Sequence, residues 1–318
     1  MIYYILLTFS ALIFALQFMF NDGYQKENGS GMSVALRFSF YNSVLGLVFV
    51  YLINKFHFEF SWFSFIIAVV YGLVCVAYNY FSIKAFDTAN LSIYSIFAMI
   101  GGMLLPYAYG LISGEAFLIL RTISCVVIVL AIIMTASSED KQSKGAIKYY
   151  IGVFILNGMV GVLSAFHQGF AFLDAGYVAQ KSTGYVIANF HTYFASLTGM
   201  TENLAVDNGS FLILTKIVTA VFSLVILFVQ KDRSLKINLK SAGYCFGNTA
   251  LNSVANLFIL YSLTDNRVPA SVTYPIITGG VIVFSTLIDK ARKVPVSRKV
   301  LIATAITLIA SVFMVFEL

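Results

Sequence analysis

The sequence predicts an all-α polytopic membrane protein of about ten transmembrane helices, arranged as two inverted five-helix repeats. Three observations lead there. Of 318 residues, 59% are hydrophobic and 11% charged, against about 25% charged in an ordinary soluble domain. The apolar residues fall into ten runs near the roughly 20-residue length that crosses a bilayer. Finally, chemically matched residues recur in the same order in the two halves.

The runs are Ile2–Phe20, Met32–Ile53, Ser61–Ile83, Asn90–Ile112, Phe117–Thr135, Tyr149–Ala171, Phe211–Val229, Ser241–Leu263, Ala270–Ile288 and Val300–Phe316. So little charge could not cover the surface of a soluble globule, and so much apolar area excludes a disordered chain. No basic residue precedes Lys26. A cleaved signal peptide carries a basic stretch ahead of its apolar core, so Ile2–Phe20 is expected to be retained as a span. Most links between runs are short, so neighbouring helices should pack as antiparallel pairs.

The division into halves rests on order and offset. Residues 1–136 form the first repeat, 137–148 (SSEDKQSKGAIK) a polar linker, and 149–318 the second repeat. Gln17 corresponds to His167 at an offset of 150, and Arg37 to Lys216 at 179. Asn79 corresponds to Asn256, Asp87 to Asp265 and Gly101-Gly102 to Gly279-Gly280, at 177 or 178. One jump followed by a near-constant offset fits a duplication and one insertion of about 28 residues within 169–208. Five spans are an odd number, so the second half enters the membrane upside down. That architecture recurs in secondary transporters with a site near the midplane.

The segment YNYFSIKAFDTANLSIYSIFAMIGGMLLPYAYGLISGE, residues 78–115, is followed by an apolar run. It resembles the span 3–span 4 unit of the drug/metabolite transporter superfamily, in particular its EamA-like transporters. Gly114-Glu115 stands where that family has a Gly-Glu pair, and Arg37 is similar to its Arg in span 2. The second half carries a looser copy, ANLFILYSLTDNRVPASVTYPIITGGVIV, with Ile288-Asp289 in place of Gly-Glu. The resemblance implies a solute carrier of ten spans with both termini in the cytoplasm. It leaves the solute open.

Polar side chains inside the runs are the candidate site. An ionisable group near the bilayer centre costs at least ~2.5 kcal/mol, and all 14 acids avoid the centres of the runs. The cations do not: Arg37 and Lys216 lie within runs, and Arg121 lies near an end. Two readings stand for Arg37 and Lys216. Either they flank a central cavity and attract a carboxylate or phosphate, or they snorkel to an interface. His167, like Gln17, lies toward the end of its run. It either meets solute, and then suits proton coupling, or is satisfied by a neighbouring helix.

Asn248, Asn252 and Asn256 fall at i, i+4 and i+8 on one helix face. Against lipid this stripe is unfavourable, so it is expected to face a cavity or another helix. Tyr71, Tyr78 and Asn79 occupy the matching run of the first half. Pro106 and the Tyr274-Pro275 pair free backbone carbonyls in spans 4 and 9. The expected solute-binding residues are therefore Gln17, Arg37, Tyr78, Asn79, His167, Lys216, Asn252, Asn256 and Tyr274.

No P-loop, HExxH, GxSxG or metal cluster occurs in the sequence. Cys75, Cys125 and Cys245 stand apart, so neither a cofactor nor a metal is expected, and no catalytic role. No basic-aromatic array suits a nucleic acid. The expected partners are a small polar solute, anionic or zwitterionic, and the lipid of the cell membrane. Coupling to a proton or counter-solute is left open, as is a monomer or a homodimer. Efflux of amphiphilic drugs is the alternative, and a lipid-handling membrane protein a more distant one.

Lys and Arg distribute unevenly: 14 fall in links 1–2, 3–4, 5–6, 7–8 and 9–10, and three in the remaining links. The positive-inside rule then places both termini outside, opposite to the orientation that the resemblance implies. A crossing by Thr183–Met200 would reconcile the two but would make the halves parallel. An interfacial or re-entrant helix there keeps them inverted.

Overall fold

The computed structural model describes residues 2–87, 91–112, 119–136, 147–174, 208–230, 234–263 and 270–315. Among them are ten α-helices and no strand. They are α1 (Ile2–Asn28), α2 (Met32–Ile53), α3 (Trp62–Phe86), α4 (Leu91–Ile112), α5 (Ile119–Ala136), α6 (Ile147–Asp174), α7 (Asn208–Val229), α8 (Leu239–Leu263), α9 (Ala270–Ala291) and α10 (Arg298–Val315). Five described stretches are long and apolar enough to cross a membrane: Ile2–Asn28, Met32–Ile53, Trp62–Phe86, Ile147–Ser164 and Gly209–Val229. The chain is an all-α membrane protein.

Helix bounds follow the apolar runs closely, with instructive exceptions. Ser61 caps α3, its hydroxyl accepting from the Ser64 amide at 3.4 Å. A capping hydroxyl satisfies one of the amides that the first turn leaves without a partner. α1 continues eight residues past Phe20, through NDGYQKEN. Hydropathy ends the membrane run there, but the backbone stays helical because these polar side chains find partners on α8, α9 and the end of α3.

Side-chain contacts fix the helix directions. Asn21, Gln17 and Ser10 of α1 meet Asn248, Asn252 and Ala255 of α8 in reverse order, so α1 and α8 are antiparallel. α1 runs alongside α9, with Ala11 beside Gly280 and Asp22 beside Arg292. α6 stands in the same two relations to the other half. It is antiparallel to α3, with Ser64 on His167 and Phe81 over Gly152. It is parallel to α4, with Phe97 on Tyr150 and Pro106 beside Gly161. α2 and α7 pack together, and they are antiparallel, since Asn54 lies against Gly209 and Lys216 lies across Gly46.

Glycine makes the α4–α6 contact possible. A Cβ on Gly101 would overlap the Phe154 carbonyl, and one on Gly158 would lie 2.7 Å from the Gly101 carbonyl oxygen. Backbones approach this closely only where one side carries no side chain. The Asn157 amide then reaches the Ala98 carbonyl at 2.6 Å.

α5 and α10 lie to the side of this body, against α4 and α9. Ile128, Val300 and Ala310 join Ile96, Ile100 and Ile282 in one buried cluster. The main core lies between α1, α3, α4, α6 and α9, around Leu7, Phe18, Phe86, Tyr94, Tyr150 and Val281.

The linker 137–148 is outside the described residues up to 146, as are Gly114-Glu115 and Thr183–Met200. The expected insertion within 169–208 is outside them from 175 to 207. The helices flanking that gap begin and end together: His167 near the end of α6 stacks on Phe211 near the start of α7, with ring centroids 3.8 Å apart.

Candidate functional site

The seam between α1 and α8 is held by amides. Asn248 donates to Asn21, and Asn252 donates to the Gln17 side-chain oxygen at 3.2 Å. Asn256 donates back to Asn252, to its carbonyl at 2.8 Å and its side-chain oxygen at 3.0 Å, and is itself exposed. The three-asparagine stripe thus spends its first two members on helix–helix hydrogen bonds. Its third sits on an open face of the bundle.

α2 brings a second polar edge to the same region. Its inner face carries Ser39, Asn42 and Gly46, spaced close to one turn. Asn79 of α3 donates to Ser39 at 3.0 Å, and Thr249 of α8 donates to the Asn42 side-chain oxygen at 2.8 Å. Lys216 of α7 completes the row, its stem lying over Gly46. A Cβ there would stand 3.1 Å from the lysine Cε. Lys216 is half-buried, with Cys75 of α3 in electrostatic reach.

Arg37 and Lys216 occupy different faces. At 100° per residue, Arg37 shares a stripe with Val44 and Val48, which are 39% and 55% exposed. Lys216 shares one with Ser223 and Leu227, which are 0% and 1% exposed. The buried residues of the two helices match at an offset of 180, pairing Phe38, Ser39 and Ser43 with Val218, Thr219 and Ser223. An offset of 179 pairs the cations by chemistry. The packing register differs by one residue, which is a rotation of 100°. Their depths differ as well. Lys216 contacts α2 at Gly46, nine positions from Arg37, or about 13 Å along the axis.

Tyr78 and His167 lie apart from this cluster. Tyr78 belongs to a hydroxyl chain between α3 and α4, 2.8 Å from Tyr94, whose hydroxyl is 2.9 Å from Ser82. His167 is fully buried, with Ser64 Oγ 2.8 Å from its Nε2 and its ring between Phe211 and Phe63. That packing holds it in a helix–helix contact at one end of the bundle. Tyr274 lies within α9, and its side chain, like that of Arg121, is outside the described residues.

The end of the bundle where α1 stops and α2 starts carries an ionic network that hydropathy alone does not reveal. Asp22, 4% exposed, accepts from Lys26 and Arg292, each at 2.8 Å. Gln25 and Ser30 both donate to Asp87, at 3.0 and 2.8 Å. Beyond the apolar runs, the Lys240 ammonium donates to Glu27 at 2.5 Å. Asn21, Asp22, Asn42 and Thr249 were not among the expected site residues. The signal for Asn42 was present, since it lies one turn from Gly46 on a stripe of small and polar residues.

Among the described residues no three His, Cys, Asp or Glu side chains gather as a metal site. A groove of about 380 Å³ lined by Tyr4, Ile5, Thr8, Phe9, Leu12 and Phe284 is apolar.

No protein-family profile and no curated protein matches the chain. A solved structure described only as "Crystal structure of protein" aligns over 97% of this chain and 99% of its own, at 13% identity and a TM-score of 0.43.

Proposed function

We propose that the protein is a secondary transporter of the cell membrane, with an EamA-like fold of ten spans in two inverted five-helix repeats, moving a small polar solute by alternating access. The observation that carries this reading is the exchange pattern of the packing. Replace α1–α5 by α6–α10 and the pairs α1–α8, α1–α9 and α2–α8 become α6–α3, α6–α4 and α7–α3, all of which pack. α2–α7, α4–α9 and α5–α10 map onto themselves and also pack. The helix directions obey the same exchange, antiparallel for α1–α8 and α6–α3, parallel for α1–α9 and α6–α4.

An inverted pair of halves can rock between two states that their pseudo-two-fold axis exchanges. The polar cluster of α1, α2, α7 and α8 lies between the halves, where such rocking changes exposure. Its amides and Lys216 suit an anionic or zwitterionic metabolite in preference to a purely apolar one.

Two measurements test this. Reporters placed after Lys26 and after Lys236 must lie on one side of the membrane, and opposite sides would end the inverted-repeat reading. Proteoliposomes holding the purified chain are then assayed for counterflow of a labelled metabolite pool. Absence of any protein-dependent flux across amino acids, hydroxy acids and sugars would end the transport reading.

A further inference from the structure

We infer that Lys216 and Asn42 form a single-anion subsite, and that the solute presents one carboxylate to it. This deepens the carrier reading and rests on it. Lys216 is an ammonium with three donors and no acceptor. It makes no hydrogen bond or ion pair with any side chain among the described residues, although it lies on the inward stripe of an apolar helix.

Asn42 is half-buried, and its oxygen is taken by the Thr249 hydroxyl at 2.8 Å. That bond orients the amide and leaves its two N–H donors without a partner among the described residues. Asn42 and the Gly46 position that carries the Lys216 stem lie one turn apart, about 6 Å along α2. The nearby hydroxyls of Thr215, Thr219 and Ser223 donate to carbonyls within α7. Donors therefore converge at this place, and among the described residues no carboxylate answers them.

The charge fixes the class. Arg37 lies about 13 Å away along the helix, in electrostatic reach of Tyr24, so it does not supply a second cation to the same group. One ammonium and one amide match a carboxylate. A dicarboxylate or a phosphate dianion would bring into the bundle a charge that no cation among the described residues there neutralises, at a steep desolvation cost. Gly46 belongs to the subsite because a Cβ there would stand 3.1 Å from the lysine Cε and crowd the stem.

The test is thermal unfolding of the full chain in detergent, titrated with acetate, glycine, succinate and inorganic phosphate at constant ionic strength. Acetate and glycine should raise the midpoint, with succinate and phosphate weaker. Lys216→Gln and Lys216→Met should raise the half-saturating concentration about tenfold or more, as expected for loss of a charge-assisted bond. Asn42→Ala should weaken it less, and Lys216→Arg should largely restore it. Monodispersity and helical content of each variant establish that it folds. The inference is overturned by a monocarboxylate response unchanged in Lys216→Gln, by tighter phosphate or succinate than acetate, or by no response to either monocarboxylate. Each of these outcomes leaves the reporter and counterflow results standing, so the subsite and the carrier reading fail separately.

Discussion

Asp22 of α1 and Arg292 at the end of α9 stand 270 positions apart and close an ion pair at 2.8 Å, with Lys26 as a second cation on the same carboxylate oxygen. Asp22 is 4% exposed, so the pair is partly shielded from water. Removing Arg292 still leaves Lys26 on the Asp22 carboxylate, so Arg292→Gln should destabilise by about 1 kcal/mol, discounted for the partial exposure of the arginine. Asp22→Asn should cost less, because the amide still accepts from Arg292 and both cations reach solvent more easily. Thermal midpoints in detergent check the order, and a larger loss in Asp22→Asn would contradict it.

Asn21 and Asn248 couple the two halves through one hydrogen bond. Such bonds between membrane helices average about 0.6 kcal/mol and reach about 1.7. A double-mutant cycle with Asn21→Ala and Asn248→Ala should return a coupling in that range. Additive losses would mean that the amides contribute only as packing.

Gly101 and Gly243 make opposite predictions. Gly101→Ala puts a Cβ into the Phe154 carbonyl, and backbone cannot swing aside as a side chain can. The loss should be about 2 kcal/mol or more. Gly243 has nothing within 4 Å of its would-be Cβ and lies in a helix interior, so Gly243→Ala should be neutral or stabilise by up to about 1 kcal/mol. Chemical or thermal denaturation of both variants side by side checks the contrast.

His167 separates packing from solute contact. Its ring lies between Phe63 and Phe211 with Ser64 on Nε2, so His167→Ala opens a void between α3, α6 and α7. A stability loss of about 2–4 kcal/mol is expected by analogy with other large-to-small core changes. The half-saturating concentration for acetate should stay within about threefold of the parent value. A tenfold change, or about 1.4 kcal/mol, would return His167 to the solute path.

The sequence made the helices legible because a bilayer imposes a length and a composition that few other environments require. Met32–Ile53 and α2 coincide residue for residue. Facing was harder to read. Arg37 and Lys216 match by chemistry, but one residue of register rotates a helix by 100°, and only the pattern of buried neighbours fixes it. Asn248 and Asn252 were legible as an inward stripe, yet whether an amide meets solute or another helix depends on what faces it. Gln17 and Asn21, on a distant helix, supply the answer. The end of α1 could not be read from hydropathy, because NDGYQKEN is held helical by α3, α8 and α9.

The pairing of α1 with α8 and α9, and of α6 with α3 and α4, has a consequence for assembly. Each half lends its leading helix to the body of the other, as two hands clasped by their thumbs. A fragment of α1–α5 alone would lack the groove that receives α1 and would leave its own groove for α6 vacant. Cut within the linker, the two fragments should recover the fold only when they are made together.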